Sequence, residues 1–197
     1  MPVVGEIRPP RTLRFIQVRM ARDDGRRTVV HVQVRRWWRR PFAAGALGVA
    51  VLAAGVAAYW FQPWKLWQNE TVHEAAPTAA TRTLATGTLI SHEHTTSGTV
   101  RVLRLPDGSR TLRLEGLDTS NGPDVKVLLS DAPVKPGRAG WHVFDDGAHV
   151  SLGSLKGNKG DQNYALPRDL DLDRYTSVSI WCDRFDVSFG ASALMKA

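Results

Sequence analysis

Cysteine is nearly missing from this chain: Cys182 stands alone in 197 residues. One thiol excludes an internal disulfide, so no covalent staple holds the fold. Lysine is scarce as well, six against twenty arginines, a compositional hint of a GC-rich bacterial genome. No Ser-His-Asp order and no paired-carboxylate site stands out, which argues against a hydrolase or transferase. The stretch "GNKGDQ" (157–162) lacks the GK[ST] ending and the strand-to-helix setting of a phosphate-binding loop. After residue 83 no apolar period of 3.6 residues runs long enough for a helix.

The excess of positive charge, +7 overall, is confined to one end. Residues 1–40 hold eleven arginines against Glu6, Asp23 and Asp24, a net of +8. The remainder carries 15 basic and 16 acidic residues, a net of −1. Residues beyond 40 therefore lack the electrostatic footprint of a nucleic-acid binder. An apolar fraction of 43% suits a globular chain with one core rather than a disordered one.

"FAAGALGVAVLAAGVAAYWF" runs from Phe42 to Phe61 without a charge. As a helix it would extend roughly 30 Å, the thickness of a bilayer's hydrocarbon core. Trp37 and Trp38 precede it; Tyr59, Trp60, Trp64 and Trp67 mark its far end, as interfacial rings do. "RRWWRR" (35–40) abuts its start. The positive-inside rule puts the N-terminus in the cytoplasm and residues past about 62 outside. Val56 and Ala58 offer only a weak cleavage site, and a 40-residue leader argues against a cleaved signal peptide. Ala46, Ala50, Ala54 and Ala58 form a small-residue stripe suited to helix pairing, but the segment is Ala-rich throughout.

Four segments follow. Residues 1–40 form a basic cytoplasmic arm, in which "TLRFIQV" (12–18) can pair with "TVVHVQV" (28–34) around Asp24-Gly25. Its arginines signal topology and are attracted to anionic headgroups. Residues 41–62 form the transmembrane helix. Residues 63–83 read as a Pro/Ala/Thr-rich tether. Residues 84–197 alternate apolar and polar side chains in short runs split by turns. "TVRVLRL" (99–105) and "RTLRLEG" (110–116) flank the turn "PDGS"; further strands are expected at 125–130, 141–144, 148–153, 176–182 and 184–190. Strands at this spacing predict an all-β, antiparallel β-sandwich.

Cys182 shares strand parity with Val178 and Ile180, while Ser177, Ser179 and Trp181 take the other face. Parity turns the sulfur inward, where a free cysteine is inert. The apolar parity then shifts to Phe185, Val187 and Phe189, so a bulge or tight corner follows Cys182. Outside a cell a free thiol lies where oxidation is favoured and must be shielded, ligated or used. His92, His94, His142 and His149 could join Cys182 around a metal or haem iron, but no tight ligand spacing is present. "KGNKGDQNY" (156–164) reads as an Ω-type loop capping one end, or as a ligand-facing rim.

The outer segment resembles the DM-thirteen domain, a family of electron-transfer modules in cell-surface and extracytoplasmic proteins. The resemblance rests on His94 with "TSGTV" (96–100), "TLRLEGLDTSNGPDVKVLLS" (111–130), "LGSLKGNKGDQNYALP" (152–167) and "SIWCDRFDVSFGASAL" (179–194). It implies that Cys182 is the family's cysteine, a redox thiol or the ligand of a prosthetic group such as haem. His94 and Trp181 are then its candidate companions. The family's animal members often carry DOMON domains alongside; this chain has none, so an electron partner would be a separate redox or envelope protein. The expectation is a single-pass, membrane-anchored redox accessory rather than a complete enzyme. The alternative is a non-catalytic binding or scaffolding domain with Cys182 as core filler.

Overall fold

The computed structural model describes residues 16–19, 29–32, 39–77 and 82–197. The chain divides into two compact units, Met1–Gly55 and Val56–Ala197. In the first, β1 (Ile16–Arg19) pairs antiparallel with β2 (Val29–Val32), Ile16 opposite Val32. This is the expected hairpin. Its turn at Asp24-Gly25 and most of "RRWWRR" lie outside the described residues.

Helix α1 spans Arg39–Phe61, and its stretch Phe42–Phe61 has a mean hydropathy of 1.9 with none of it buried. It is long and apolar enough to cross a membrane, consistent with a single-pass anchor. The helix stops where Gln62 turns left-handed (φ 42°) and Pro63, which lacks an N–H, opens a 3-10 turn over Pro63–Trp67.

The expected tether is only partly one. Thr71–His73 forms β3, which pairs parallel with β10 (Lys159–Ala165). Gly160 makes room for it. A Cβ there would stand 2.1 Å from the Val72 carbonyl oxygen, and the residue's φ is +94°. Residues 74–77 continue as irregular chain.

The remaining strands are β4 (Arg82–Thr88), β5 (Ile90–Ser91), β6 (Ser97–Arg104), β7 (Arg110–Asp118), β8 (Val125–Ser130), β9 (His149–Ser154), β11 (Ser177–Cys182), β12 (Val187–Ala193) and β13 (Met195–Lys196). They form two sheets, ordered β13-β4-β6-β7-β10-β3 and β5-β12-β11-β8-β9. Every pairing but β10 with β3 is antiparallel. This is the expected all-β sandwich. Val100, Val102, Leu112 and Leu114 from one sheet meet Val127, Leu129, Val178, Ile180 and Phe189 from the other in a core closed to solvent.

Two expectations fail. Residues 141–144 are a turn rather than a strand. Phe144 instead packs with Leu128, Ala132, Trp181 and Ala191 in a second cluster. The backbone doubles back so closely at Gly140 that a Cβ would stand 2.1 Å from the Lys135 carbonyl oxygen. Second, much of "KGNKGDQNY" is not a loop but the start of β10. Its polar side chains are spent internally. Buried Asn158 accepts from the Glu70 N–H at 2.7 Å and donates to the Thr119 carbonyl at 2.7 Å. Gln162 donates to the Gly157 carbonyl at 2.6 Å and accepts from the Tyr164 hydroxyl at 2.7 Å. Burial above all pushes the Tyr164 pKa up to about 12.

Candidate redox site around Cys182

β11 is a central strand, and all six of its residues are buried. Its alternation assigns two surroundings. Val178, Ile180 and Cys182 point between the sheets into the main core. Trp181 points the opposite way, into the cluster with Phe144. Cys182 and Trp181 are therefore neighbours in sequence that share no pocket.

Cys182 is the last residue of β11, opposite Val125 on β8 and Val187 on β12. Its free thiol is 0% exposed. Beyond it, residues 183–186 form the turn into β12. The Asp183 N–H donates to the Asp124 carbonyl at 3.0 Å, the Phe185 N–H to the Cys182 carbonyl at 3.2 Å, and Asp186 closes the turn at φ +54°. The expected corner after Cys182 is this turn. The register shift falls just before it, at Ile180/Trp181 opposite Gly190 and Ser188.

Burial among aliphatic side chains pushes the Cys182 pKa up. Backbone N–H groups of Phe185, Arg184 and Asp124 favour the thiolate but do not cancel that effect. The sulfur is thus a neutral thiol at rest, with amide donors already arranged near it. Lys126 forms an ion pair with Asp183, and the ring of His142 meets the Asp186 carbonyl. Asp145 also meets Asp186; burial first, then that hydrogen bond, raises the Asp145 pKa.

His94 lies elsewhere. Its ring packs tilted against Phe189, centroids 4.0 Å apart, with Nε2 3.6 Å from Glu93. Phe189 belongs to the core that holds Cys182, so His94 reaches that core through an aromatic ring rather than as a ligand to the sulfur. His142 and His149 are exposed. Among the described residues no three His, Cys, Asp or Glu side chains are grouped to hold a metal ion. A cleft of about 200 Å³ beside the corner is lined by Lys65, Glu70, Asn121, Asp124 and Val125 among others, but by neither Cys182 nor His94. Ligand pockets for larger molecules run about 300–1,000 Å³ and are mainly apolar. The residues around Cys182 do not fit a haem.

His92 is the buried histidine whose surroundings its sequence position did not disclose. Nδ1 is 2.8 Å from Ser188 Oγ, and Nε2 is 3.1 Å from the Lys135 carbonyl. A carbonyl only accepts, so Nε2 carries the proton and Nδ1 accepts from Ser188. Ser179 Oγ donates in turn to Ser188 Oγ at 2.9 Å. Desolvation lowers the His92 pKa, and the bond to Lys135 opposes it. The chain of groups ties the Lys135 carbonyl to the outer face of the five-stranded sheet.

The family described as Electron transfer DM13 matches residues 88–194, more than half of the chain. No curated protein and no solved structure matches it.

Proposed function

We propose that this protein, which belongs to the electron transfer DM13 family, is a membrane-anchored redox accessory whose working group is the Cys182 thiol. The observation that carries the reading is the position of that sulfur within the matched region. It lies at the end of a central strand, beneath a four-residue turn whose amides favour a thiolate. In the proposed step the turn opens, the Cys182 thiol gives its proton to water, the thiolate attacks a disulfide of a separate partner, and a mixed disulfide forms as the partner's thiolate leaves and takes up a proton. With no second cysteine in the chain, a further thiolate of the partner attacks the partner's sulfur in the mixed disulfide, forms a new partner disulfide and releases the Cys182 thiolate, so the cycle exchanges the partner's disulfides. α1 holds the chain in the cell membrane with its arginine-rich end in the cytoplasm and the sandwich displayed in the envelope.

A second reading has its own observation. The complete enclosure of Cys182 and its raised pKa suit a core residue in a binding or scaffolding domain. Glutathione disulfide added to the folded full chain separates the two. The redox reading predicts one glutathione adduct by intact mass, reversed by dithiothreitol and absent from Cys182→Ala. An adduct that forms only in denaturant would leave the scaffolding reading.

A further inference from the structure

We propose that the end of the sandwich carrying Cys182 is seated on the phospholipid headgroup layer through Arg184 and Phe185, together with Trp60, Phe61 and Trp64. Trp60 and Phe61, the last residues of α1, belong to the same compact unit as the sandwich. The Phe185 ring stacks on the Phe61 ring, centroids 5.7 Å apart and 11° from parallel. The Arg184 guanidinium lies 4.7 Å over the Trp60 ring and donates to the Trp60 carbonyl at 2.6 Å. That carbonyl is among those a helix leaves without an internal partner at its C-terminus, where a cation is also favoured by the helix dipole.

These contacts leave an apolar surface open. Phe185 remains 44% exposed at the tip of its turn, Trp60 54%, Phe61 49% and Trp64 45%. A soluble domain has no reason to display four such rings beside one another. Half-exposed aromatics interleaved with Arg184 and Lys65 match the chemistry of the headgroup layer, where rings sit at the interface and long cationic chains reach toward phosphate. Continuity names the occupant. The apolar run ends at Trp60 and Phe61, so the lipid layer that meets those residues also meets the side chains packed on them. Anything that reaches Cys182 through its turn then approaches along the membrane plane.

This inference rests on α1 being a membrane anchor, and the test separates the two. A cysteine-free full chain (Cys182→Ala) receives single cysteines at Phe185, Asn121, Arg168 or Val49, each labelled with an environment-sensitive fluorophore. Arg168 sits beside Arg110, at the opposite end of the strands from the Ser97–Asp118 pair and Cys182. The chains are placed in vesicles of phosphatidylcholine and phosphatidylglycerol carrying nitroxide at the headgroup or deep in the acyl chain. Headgroup nitroxide is expected to quench the Phe185 and Asn121 labels several-fold more than the Arg168 label. Quenching at Asn121 alone supports the seat too, since a label at 185 removes the stack on Phe61. Labels at 185 and 121 quenched no more than at 168, with Val49 quenched by the acyl-chain nitroxide, would overturn the seat and leave the anchor. An unquenched Val49 would overturn both.

Discussion

Cys182 and His92 are two buried ionisable groups on opposite faces of one sheet, and they are treated differently. Both are held neutral by desolvation. His92 has a partner on each ring nitrogen, so its hydrogen-bonding capacity is spent on joining Ser188 to the Lys135 carbonyl. Cys182 has no side-chain partner; only backbone amides of a short turn approach it. A group whose bonds are all committed is a clasp. On the redox reading proposed above, a group approached only by the amides of a short turn reacts when that turn opens.

Substitutions at these two groups and their neighbours differ in expected cost. Trp181→Ala empties the centre of the cluster with Phe144 and should cost about 3–5 kcal/mol by thermal or chemical denaturation. His92→Ala leaves the Ser188 O–H without its acceptor and the Lys135 carbonyl without its donor and should cost about 1–3 kcal/mol. His92 also predicts a pH effect with a definite sign. Its folded pKa lies below the ordinary histidine value of 6.5, so the unfolded chain binds the proton more readily. Stability is then complete above about pH 6.5 and declines as pH falls through that value toward the folded pKa. Denaturation midpoints measured from pH 8 to pH 5 should fall for the parent chain and stay flatter for His92→Gln. Cys182→Ala should cost only about 1 kcal/mol, yet abolish formation of the glutathione adduct. Asp186→Gly relieves a left-handed residue and should stabilise its turn by a few tenths of a kcal/mol to about 1, slowing thiol exchange slightly.

The sequence disclosed the elements whose side chains alternate cleanly. β6, β7, β8 and β11 follow period two because one face meets the core, and that parity correctly turned Cys182 inward. β10 was hidden because Asn158, just before it, and Gln162, within it, are buried by hydrogen bonding rather than by apolarity, so no period marks it. β3 was hidden because three residues in a polar, Pro- and Ala-bearing segment gain strand form only from pairing across Gly160. "WHVF" alternates like a strand, but Phe144 is drawn into a cluster over Trp181 by the fold of the whole loop. At the candidate site, the inward position of Cys182 was legible and the bonding of His92 was not. The groups it meets, Ser188 and Lys135, are 96 and 43 residues away.

The most direct test of the central claim joins two rates in the folded full chain. Amide hydrogen exchange at Arg184 and Phe185 reports how often the turn opens; disulfide exchange at Cys182 reports how often the sulfur is reached. With both followed at rising urea below the unfolding transition, the account predicts a shared opening that is nearly insensitive to urea. Thiol reactivity that instead climbs steeply with urea, in step with global unfolding, would show that Cys182 is reached only when the sandwich comes apart.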